Sequence, residues 1–240
     1  MGMVMEQRIK TDFHTHILPA MDDGAKDADM SVGMLDMLKQ QGIETVLLTP
    51  HFYADRETTA SFLKRREAAM SALQAAGEMP LQMVLGAEGH VMRDLAEVAG
   101  LQDLRLGDSE YMLLEMPYLP LADWMIETVE NVYYKLGCKP LLAHLSRYAA
   151  YYTDADFKAL VALPEVVVQV NAEDLKYRYI RKLLKTWIKR GVPVVFGSDC
   201  HSLGHRRPNF DAVVGVTSKL RRGTCPADKA NVIAKEIGII

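Results

Sequence analysis

The sequence contains little cysteine and no long apolar run, and these two absences narrow what the protein can be. Its three cysteines, Cys138, Cys200 and Cys225, have no paired spacing, which argues for free thiols in a reducing compartment rather than a disulfide framework. No run of about 18 apolar residues is present, and residues 1–10 lack an apolar core of signal-peptide length. We therefore expect a cytoplasmic protein without membrane insertion.

A large excess of charge of one sign is also missing. The formal net charge is −3 and the lysines and arginines form no dense run, which argues against a nucleic-acid partner. The 240 residues are 49% apolar, enough for one large core, and no low-complexity linker, fixed-period repeat or change of composition divides them. We predict a single domain over residues 1–240, and an oligomer is compatible with this composition.

Short apolar runs alternate with longer amphipathic segments along the chain. The runs are rich in Val, Leu and Ile, which is typical of parallel strands covered by helices, and their number favours a closed or nearly closed β/α barrel over an open sheet. The seven predicted strands cover residues 9–13, 45–49, 81–85, 111–114, 140–143, 166–170 and 194–197. The predicted helices cover residues 30–41, 58–76, 123–136, 154–163, 177–190, 210–220 and 227–236.

Residues that bind metals occur where the predicted strands end. His14 and His16 are two residues apart, so a strand projects both imidazoles to one face, and a polar turn with Asp22 and Asp23 follows, closed by Gly24. His-x-His at one strand end can arise by chance, with the aspartates as turn formers. Every predicted strand nevertheless delivers such a residue, and the ends of parallel barrel strands share one rim. The other strand-end residues are His51, Glu88, Glu115, His144, Asn171, Asp199 and His201.

Five imidazoles and four carboxylates are more than one ion requires. A tetrahedral zinc ion takes about four protein ligands. Nine therefore suggest two or three divalent ions that share bridging carboxylates and neutralise the buried charge. Mixed imidazole and carboxylate donors suit manganese, iron or zinc better than magnesium or calcium. The candidate ligands are His14, His16, Asp23, His51, Glu88, Glu115, His144, Asp199 and His201.

Seven short motifs follow one another in order. They are His14-Thr15-His16, Asp22-Asp23-Gly24, Thr49-Pro50-His51, Gly86-Ala87-Glu88, Leu114-Glu115, Ala143-His144-Leu145-Ser146-Arg147-Tyr148 and Ser198-Asp199-Cys200-His201. Their order and spacing resemble the polymerase-and-histidinol-phosphatase (PHP) superfamily. Within it, the sequence is similar to the bacterial tyrosine phosphatases of capsule and exopolysaccharide loci, from about residue 12 to about residue 208.

The resemblance implies an α/β fold, a distorted seven-stranded (β/α)7 barrel of the TIM-like PHP type. It implies a trinuclear site, with manganese the first choice and iron or zinc as alternatives. The implied reaction is hydrolysis of phosphotyrosine on a tyrosine autokinase that controls polysaccharide export. The nine candidate ligands match the family's ligand positions, and the phosphate-holding role falls on Arg147 and on Arg206 or Arg207. Asp22 is expected to be a neighbour of Asp23 rather than a ligand.

The expected mechanism is direct hydrolysis of the phosphomonoester. A metal-bridging hydroxide attacks phosphorus in line while arginines hold the non-bridging oxygens. The leaving phenolate has a pKa near ~10, so it needs little protonation. His201 or His51 is a candidate donor of that proton if it is not fully engaged as a metal ligand.

The sequence also contains a motif typical of a different class of phosphatase, which uses a cysteine nucleophile. Cys200 and Arg206 satisfy the Cys-x5-Arg spacing of cysteine-dependent phosphatases. That chemistry needs a helix to begin directly after the loop, because the helix dipole lowers the thiol pKa. The next helical pattern starts only near Phe210, and Asp199 beside the cysteine would raise the thiol pKa. The sequence therefore favours the metal-dependent chemistry over a cysteine nucleophile.

Three further interpretations keep the barrel but change the function. One is an amidohydrolase, which also begins with His-x-His. Another is hydrolysis of a small phosphate monoester such as histidinol phosphate, and the third is a metal-filled binding or scaffold module. Four tyrosines that follow strand ends could frame an aromatic substrate or simply cover the rim. They are Tyr118, Tyr148, Tyr151 and Tyr152.

Overall fold

The computed structural model describes residues 9–210, 213 and 226–237. The described chain is an α/β structure whose paired strands are all parallel. The strands are β1 Thr11–Thr15, β2 Thr45–Leu48, β3 His51–Phe52, β4 Gln82–Leu85, β5 Glu88–His90, β6 Tyr111–Glu115, β7 Lys139–Leu142, β8 Val167–Asn171 and β9 Val194–Gly197. They form two sheets, of order β1-β2-β4 and β3-β5-β6-β7-β8-β9.

The seven predicted strands correspond to nine in the structure, because two of the predicted runs are followed by a second short strand. Pro50, which has no N–H to donate, lies between β2 and β3 and interrupts what would otherwise be one strand. The loop Gly86-Ala87 separates β4 from β5 in the same way. The two sheets meet at an isolated parallel bridge between Thr15 and Cys200.

Six α-helices cover the strands in the described residues. They are α1 Ala28–Gln40, α2 Thr59–Ala75, α3 Asp123–Leu136, α4 Asp154–Leu160, α5 Arg178–Lys189 and α6 Pro226–Glu236. Local chemistry sets several ends: the Thr58 hydroxyl accepts the Ser61 N–H before α2, and Gly137 ends α3 at φ 65°. The predicted helix over residues 210–220 lies outside the described residues except at Phe210 and Val213. No helix in the described ranges is long and apolar enough to cross a membrane.

Strand residues alternate between two apolar clusters. Phe13, Leu113 and Val195 belong to the smaller cluster, which α6 also contacts through Ile233. Residues one position away, such as Leu114, belong to the larger cluster beneath the other helices. Toward the C-terminal ends of the strands, the face that carries the smaller cluster becomes polar. Leu113 is followed on that face by Glu115, and Val167 by Gln169 and Asn171.

We expect Leu113→Ala to lower the free energy of unfolding by about 2–5 kcal/mol, because it removes a fully buried side chain from a packed cluster. Leu119→Ala is the matched control, since Leu119 is 54% exposed and its truncation leaves no cavity. Urea unfolding of both variants measures the difference. Equal losses for the two variants would contradict this packing.

Candidate functional site

Glu88 is the centre of a buried cluster of imidazoles. Its carboxylate lies at the start of β5, and its Oε2 is 3.1 Å from His14 Nε2, 3.3 Å from His16 Nε2 and 2.9 Å from His51 Nδ1. Its Oε1 is 3.1 Å from His144 Nε2. Glu88 is fully buried, and neither of its oxygens has a hydrogen bond of good geometry among the described residues. Four nitrogens therefore surround one carboxylate that hydrogen bonds do not satisfy.

All nine predicted ligands lie in this cluster. Asp23 Oδ1 is 3.3 Å from His201 Nε2 and Glu115 Oε1 is 3.6 Å from His144 Nε2, although Asp23 is mostly exposed. Asp199 Oδ1 is 3.4 Å from His16 Nε2. Donor atoms within 4.8 Å of one another form three groups that could each hold an ion. The groups are His16, Asp23, His51 and His201; His14, His16 and Glu88; and His51, Glu88 and Glu115.

The hydrogen bonds on the far sides of His14 and His16 orient their lone pairs. His16 Nδ1 is 2.7 Å from Asp22 Oδ2, and His14 Nδ1 is 3.1 Å from Gln169 Oε1; both oxygens accept. The proton of each neutral ring therefore sits on Nδ1, which leaves a lone pair on each Nε2. These two Nε2 atoms are only 3.0 Å apart. Two lone pairs at this distance repel unless a cation lies near both, so the donor set fits a metal ion.

The pKa values of His14, His16 and Glu88 report the same demand for positive charge, whereas burial and the charge of His16 lower the pKa of His201 to about 3. Burial alone would lower the pKa of His14, but the carboxylates of Glu88 and Asp199 raise it. The pKa of His16 is raised well above its ordinary value, against burial, chiefly by Asp22. Burial would raise the pKa of Glu88, yet the surrounding imidazoles hold it well below its usual range. Anionic carboxylates here are stable only with cations beside them.

The turn after β1 places Asp22 and Asp23 in different roles. Asp22 is half-buried, and its Oδ2 accepts from both His16 Nδ1 and the backbone N–H of His51, the latter at 2.9 Å. It thus orients the His16 imidazole from behind and holds the backbone of His51. The turn needs Gly24, because a Cβ at this position would lie 2.1 Å from the His16 carbonyl oxygen.

The two strand breaks bring His51 and Glu88 together. His51 pairs with Glu88 in the short β3–β5 ladder, and the Glu88 N–H donates to the Pro50 carbonyl at 3.0 Å. The free carbonyl of Gly86 at the second break accepts the buried Arg66 guanidinium at 2.8 Å. Sequence reasoning missed Arg66, since an arginine within an amphipathic helix pattern gives no sign that it is buried.

A chain of amides from β8 supports the other side of the cluster, and sequence reasoning missed its first member. Gln169 Oε1 accepts the His144 backbone N–H at 2.6 Å in addition to facing His14. Gln169 Nε2 donates to Asn171 Oδ1 at 2.9 Å, and Asn171 Nδ2 donates to Asp199 Oδ2 at 3.0 Å. The side chains of Gln169, Asn171 and Asp199 are all buried. The chain therefore fixes a ring tautomer at one end and a carboxylate at the other.

Two predicted ligands adopt a backbone conformation that is uncommon outside glycine. His144 has φ 30° and Asp199 has φ 52°. The Asp199 N–H donates to the His14 carbonyl at 2.8 Å and the His16 N–H donates to the Cys200 carbonyl at 3.0 Å, so the loop after β9 is paired with β1. This pairing and the amide chain hold the strained conformations in place.

The two arginine candidates that reach the cluster both bind Asp199. Arg147, in the 3-10 helix Leu145–Ala150 after β7, donates to Asp199 Oδ2 at 2.5 Å. Arg206 donates to Asp199 Oδ1 at 2.9 Å and lies 3.6 Å from Asp23 Oδ2. Burial would raise the pKa of Asp199, but His14, His16 and Arg147 hold it well below its ordinary value. Arg207 is exposed and makes no contact with the cluster.

Other carboxyl and imidazole groups that sequence reasoning passed over surround the cluster. His90 Nδ1 lies 3.3 Å from Glu115 Oε2. Asp12 is fully buried; its Oδ1 accepts the N–H groups of His14 and Ser198, and burial raises its pKa to about 7. An aspartate within a strand pattern could have drawn attention to Asp12, because an unpaired buried carboxylate is costly.

Cys200 is unsuited to act as a nucleophile. Its side chain is fully buried in the larger apolar cluster, and burial raises the pKa of the thiol well above its ordinary value. No helix begins between His201 and Phe210, so no helix dipole stabilises a thiolate here. The Cys-x5-Arg spacing is coincidental.

We expect Gln169→Leu to lower the free energy of unfolding by about 1–3 kcal/mol for each buried group that loses its partner, namely the His144 N–H and Asn171 Oδ1. Gln74→Leu, an exposed glutamine in α2, is the control and should change stability little. Chemical unfolding in chelator-treated buffer measures both. A loss no larger than that of the control would show that the amide chain is not structurally important.

Residues 10–228 of the chain match the family described as "Capsular polysaccharide synthesis, CpsB/CapC". The tyrosine-protein phosphatase YwqE of Bacillus subtilis is 36% identical over 149 residues, which are 57% of this chain and 54% of that protein, so the match spans about half the length of the Bacillus relative. The tyrosine-protein phosphatase CpsB of Streptococcus pneumoniae is 27% identical over 225 residues, 87% of this chain and 89% of that protein.

Solved structures share the fold. A crystal structure from the study of YwqE of Bacillus subtilis and CpsB of Streptococcus pneumoniae, described as unique metal-dependent tyrosine phosphatases, superimposes with a TM-score of 0.76 at 23% identity over 94% of each chain. The histidinol phosphate phosphatase of Lactococcus lactis superimposes with a TM-score of 0.51 at 15% identity, over 97% of this chain and 95% of that one. Because the family match covers most of the sequence, the chain belongs to the capsular polysaccharide synthesis family CpsB/CapC.

Proposed function

We propose that this chain is a metal-dependent protein-tyrosine phosphatase. The observation that carries the proposal is the arrangement around Glu88: four imidazoles lie within 3.3 Å of a buried carboxylate that lacks hydrogen bonds. Relatives in the same family are named tyrosine-protein phosphatases, and the related crystal structure is described as metal-dependent. The substrate is a phosphotyrosine protein, and hydrolysis of its ester is the reaction.

The metals are two or three divalent ions, with manganese the first choice and iron or zinc as alternatives. His16, His51 and Glu88 each belong to two of the three donor groups, so neighbouring ions would share ligands. Bound ions would supply Lewis acidity, which lowers the pKa of water toward ~7 and provides the nucleophile at neutral pH. The nine imidazole and carboxylate residues of the cluster would hold them.

The chain's own residues bind and orient the phosphate. Arg147 and Arg206 project from the loops after β7 and β9, and both guanidinium groups already bind oxygens of Asp199. A planar guanidinium can hold two oxygens of one anion, so this pair suits the non-bridging oxygens of a phosphate. His201 Nε2 is buried without a hydrogen-bond partner among the described residues and faces Asp23, which suits a ligand. We therefore assign His201 to the metal rather than to proton donation.

The strands that carry these residues form a distorted seven-stranded barrel in our proposal. If β2 with β3 and β4 with β5 are each counted as one interrupted strand, every strand pairs with its neighbours on both sides. The bridge between Thr15 and Cys200 supplies the last pairing, between β1 and the end of β9. Closure of this ring would bring all the C-terminal ends to one rim.

The biological context is also a proposal. The family's description and the names of the relatives favour a role in capsule or exopolysaccharide synthesis. We propose that the chain acts as one cytoplasmic domain on a tyrosine autokinase. A small phosphate monoester such as histidinol phosphate is the second candidate substrate, supported by the fold of the Lactococcus enzyme. Direct comparison of hydrolysis of a phosphotyrosyl peptide and of histidinol phosphate separates the two.

Chelation should abolish hydrolysis of a phosphotyrosyl peptide, and added manganese should restore it. Cys200→Ser and Cys200→Ala should keep activity within about threefold of the parent, because the buried thiol takes no part in the reaction. Phosphate release before and after chelation measures both effects. Activity that survives excess chelator but is lost in both cysteine variants would overturn the proposed chemistry.

Adjacent arginines provide a matched test of phosphate binding. We expect Arg206→Met to lower kcat/KM about 10²–10³-fold, because it removes one of the two guanidinium groups beside Asp199 that we assign to the phosphate oxygens. Arg207→Met should have an effect of less than about threefold, since Arg207 is exposed and makes no contact with the cluster. Steady-state kinetics of the parent and the two variants measures both changes in kcat/KM. An equal loss in both, or the larger loss at Arg207, would place the phosphate elsewhere.

A further inference from the structure

The four tyrosines near the strand ends separate into two kinds. Tyr148 is fully buried and its hydroxyl donates to the Met116 carbonyl, and Tyr152 is 6% exposed, so both pack the fold. Tyr118 and Tyr151 are 40% and 43% exposed. Contact with water is unfavourable for aromatic rings. Exposed rings at the edge of a charged cluster are therefore typical of a surface that binds an apolar group.

The ring of Tyr118 lies against the metal cluster. It is nearly parallel to the His144 imidazole, with centroids 6.3 Å apart and an interplanar angle of 16°. On its buried side it stacks on Tyr148 at 5.1 Å, and Tyr151 meets it edge-on at 6.0 Å. Its hydroxyl accepts Arg147 Nη1 at 3.4 Å. The ring is therefore fixed by three aromatic neighbours and borders the guanidinium that we assign to phosphate binding.

The opposite side of the cluster is chemically different. A cavity of about 320 Å³ next to His51 is lined mostly by charged side chains, among them Asp23 and Arg65. Its aromatic side chain, Tyr53, already has the Arg56 guanidinium over its ring, 4.1 Å from the centroid. The aromatic ring of a phosphotyrosine is one oxygen atom away from phosphorus. A ring attached to a phosphate held by Arg147 must therefore lie close to that arginine, and Tyr118 is the exposed aromatic side chain in contact with it.

We infer that Tyr118 is a specificity-determining residue whose ring forms one wall of the subsite for the aromatic ring of an aryl phosphate monoester. This inference rests on the proposed phosphatase function and adds the reason for a preference for aryl esters. The ester of a serine or of a small alkyl alcohol presents only a methylene group at this place. It gains little from the tyrosine ring, whereas a phenyl ring stacks on it or meets it edge-on.

The experiment compares two inert phosphate analogues, phenylphosphonate and methylphosphonate, with the metal-loaded protein. Their inhibition constants against hydrolysis of p-nitrophenyl phosphate, and their dissociation constants from calorimetry, give the preference for a ring. Tyr118→Leu removes the aromatic ring, and Tyr118→Phe keeps the ring but removes the hydroxyl that contacts Arg147. Tyr134→Leu is the control, because Tyr134 is an exposed tyrosine in α3 that meets Tyr133 edge-on at 5.1 Å.

We expect Tyr118→Leu to reduce the preference for phenylphosphonate about tenfold, whereas Tyr118→Phe and Tyr134→Leu should keep it within about twofold of the parent. An unchanged preference in a folded Tyr118→Leu variant would overturn the inference. So would a Tyr118→Phe variant that loses as much as the leucine variant, because the hydroxyl and not the ring would then be responsible. Absence of any phosphatase activity in the parent protein would instead refute the proposed function, and calorimetry would still measure the preference.

Discussion

The buried carboxylate of Glu88 among four imidazoles is the constraint on which the rest of the site depends. A carboxylate removed from water is strongly unfavourable unless positive charge lies next to it. Imidazoles are unusual partners for it, because each can be neutral or cationic at physiological pH. The raised pKa values of His14 and His16 show how strongly the carboxylates attract positive charge. Protonation of the imidazoles is a poor source of this positive charge. The Nε2 atoms of His14 and His16 are 3.0 Å apart, so the two rings would repel each other if both were protonated.

The surrounding fold keeps this unfavourable arrangement from relaxing. Asp22 and Gln169 hold the far nitrogens of two rings, and the positive φ angles of His144 and Asp199 point their side chains inward. Gly197 allows β9 to approach β1, since a Cβ there would lie 2.6 Å from the His14 Cβ. Each of these features costs conformational freedom or strain that strand pairing and core packing must offset. The cluster is thus built at the expense of stability, which is common where ligand binding returns the lost free energy.

Much of this arrangement was predictable from the sequence, for a physical reason. Parallel strands alternate apolar and polar faces and end on one edge, so a histidine or carboxylate directly after an apolar run has a defined place, as with Glu115 after β6. Gln169 was not predictable in this way. It lies inside the run that forms β8, where a single amide among valines resembles an ordinary strand position. Its importance comes from His14 in β1 and His144 after β7, which are distant from it in sequence.

The strand breaks were missed for a related reason. Pro50 and Gly86 follow the ends of predicted strands, but pairing resumes one residue after Pro50 and two residues after Gly86, because His51 and Glu88 pair with each other. That contact depends on a register between segments 37 residues apart, which no local pattern contains. For the same reason the sequence left the choice between Arg206 and Arg207 open. Which of two adjacent side chains faces the cluster depends on the path of a loop that is itself held by Asp199.

Asp199 connects the two arginines that we propose for phosphate binding to the fold itself. One of its oxygens accepts from Arg147 and Asn171, the other from Arg206, while its own N–H pairs with β1. A carboxylate that holds two guanidinium groups from loops after different strands sets the distance between them. Because guanidinium is always charged and rigidly planar, that distance determines which anion can be held by both groups at once. Under the proposed function, the position of Asp199, itself fixed by an amide chain that begins at Gln169, sets the geometry in which Arg147 and Arg206 would hold a phosphate. Selectivity for phosphate esters would then be a property of how β8, β9 and β1 pack together, and not of the arginines alone.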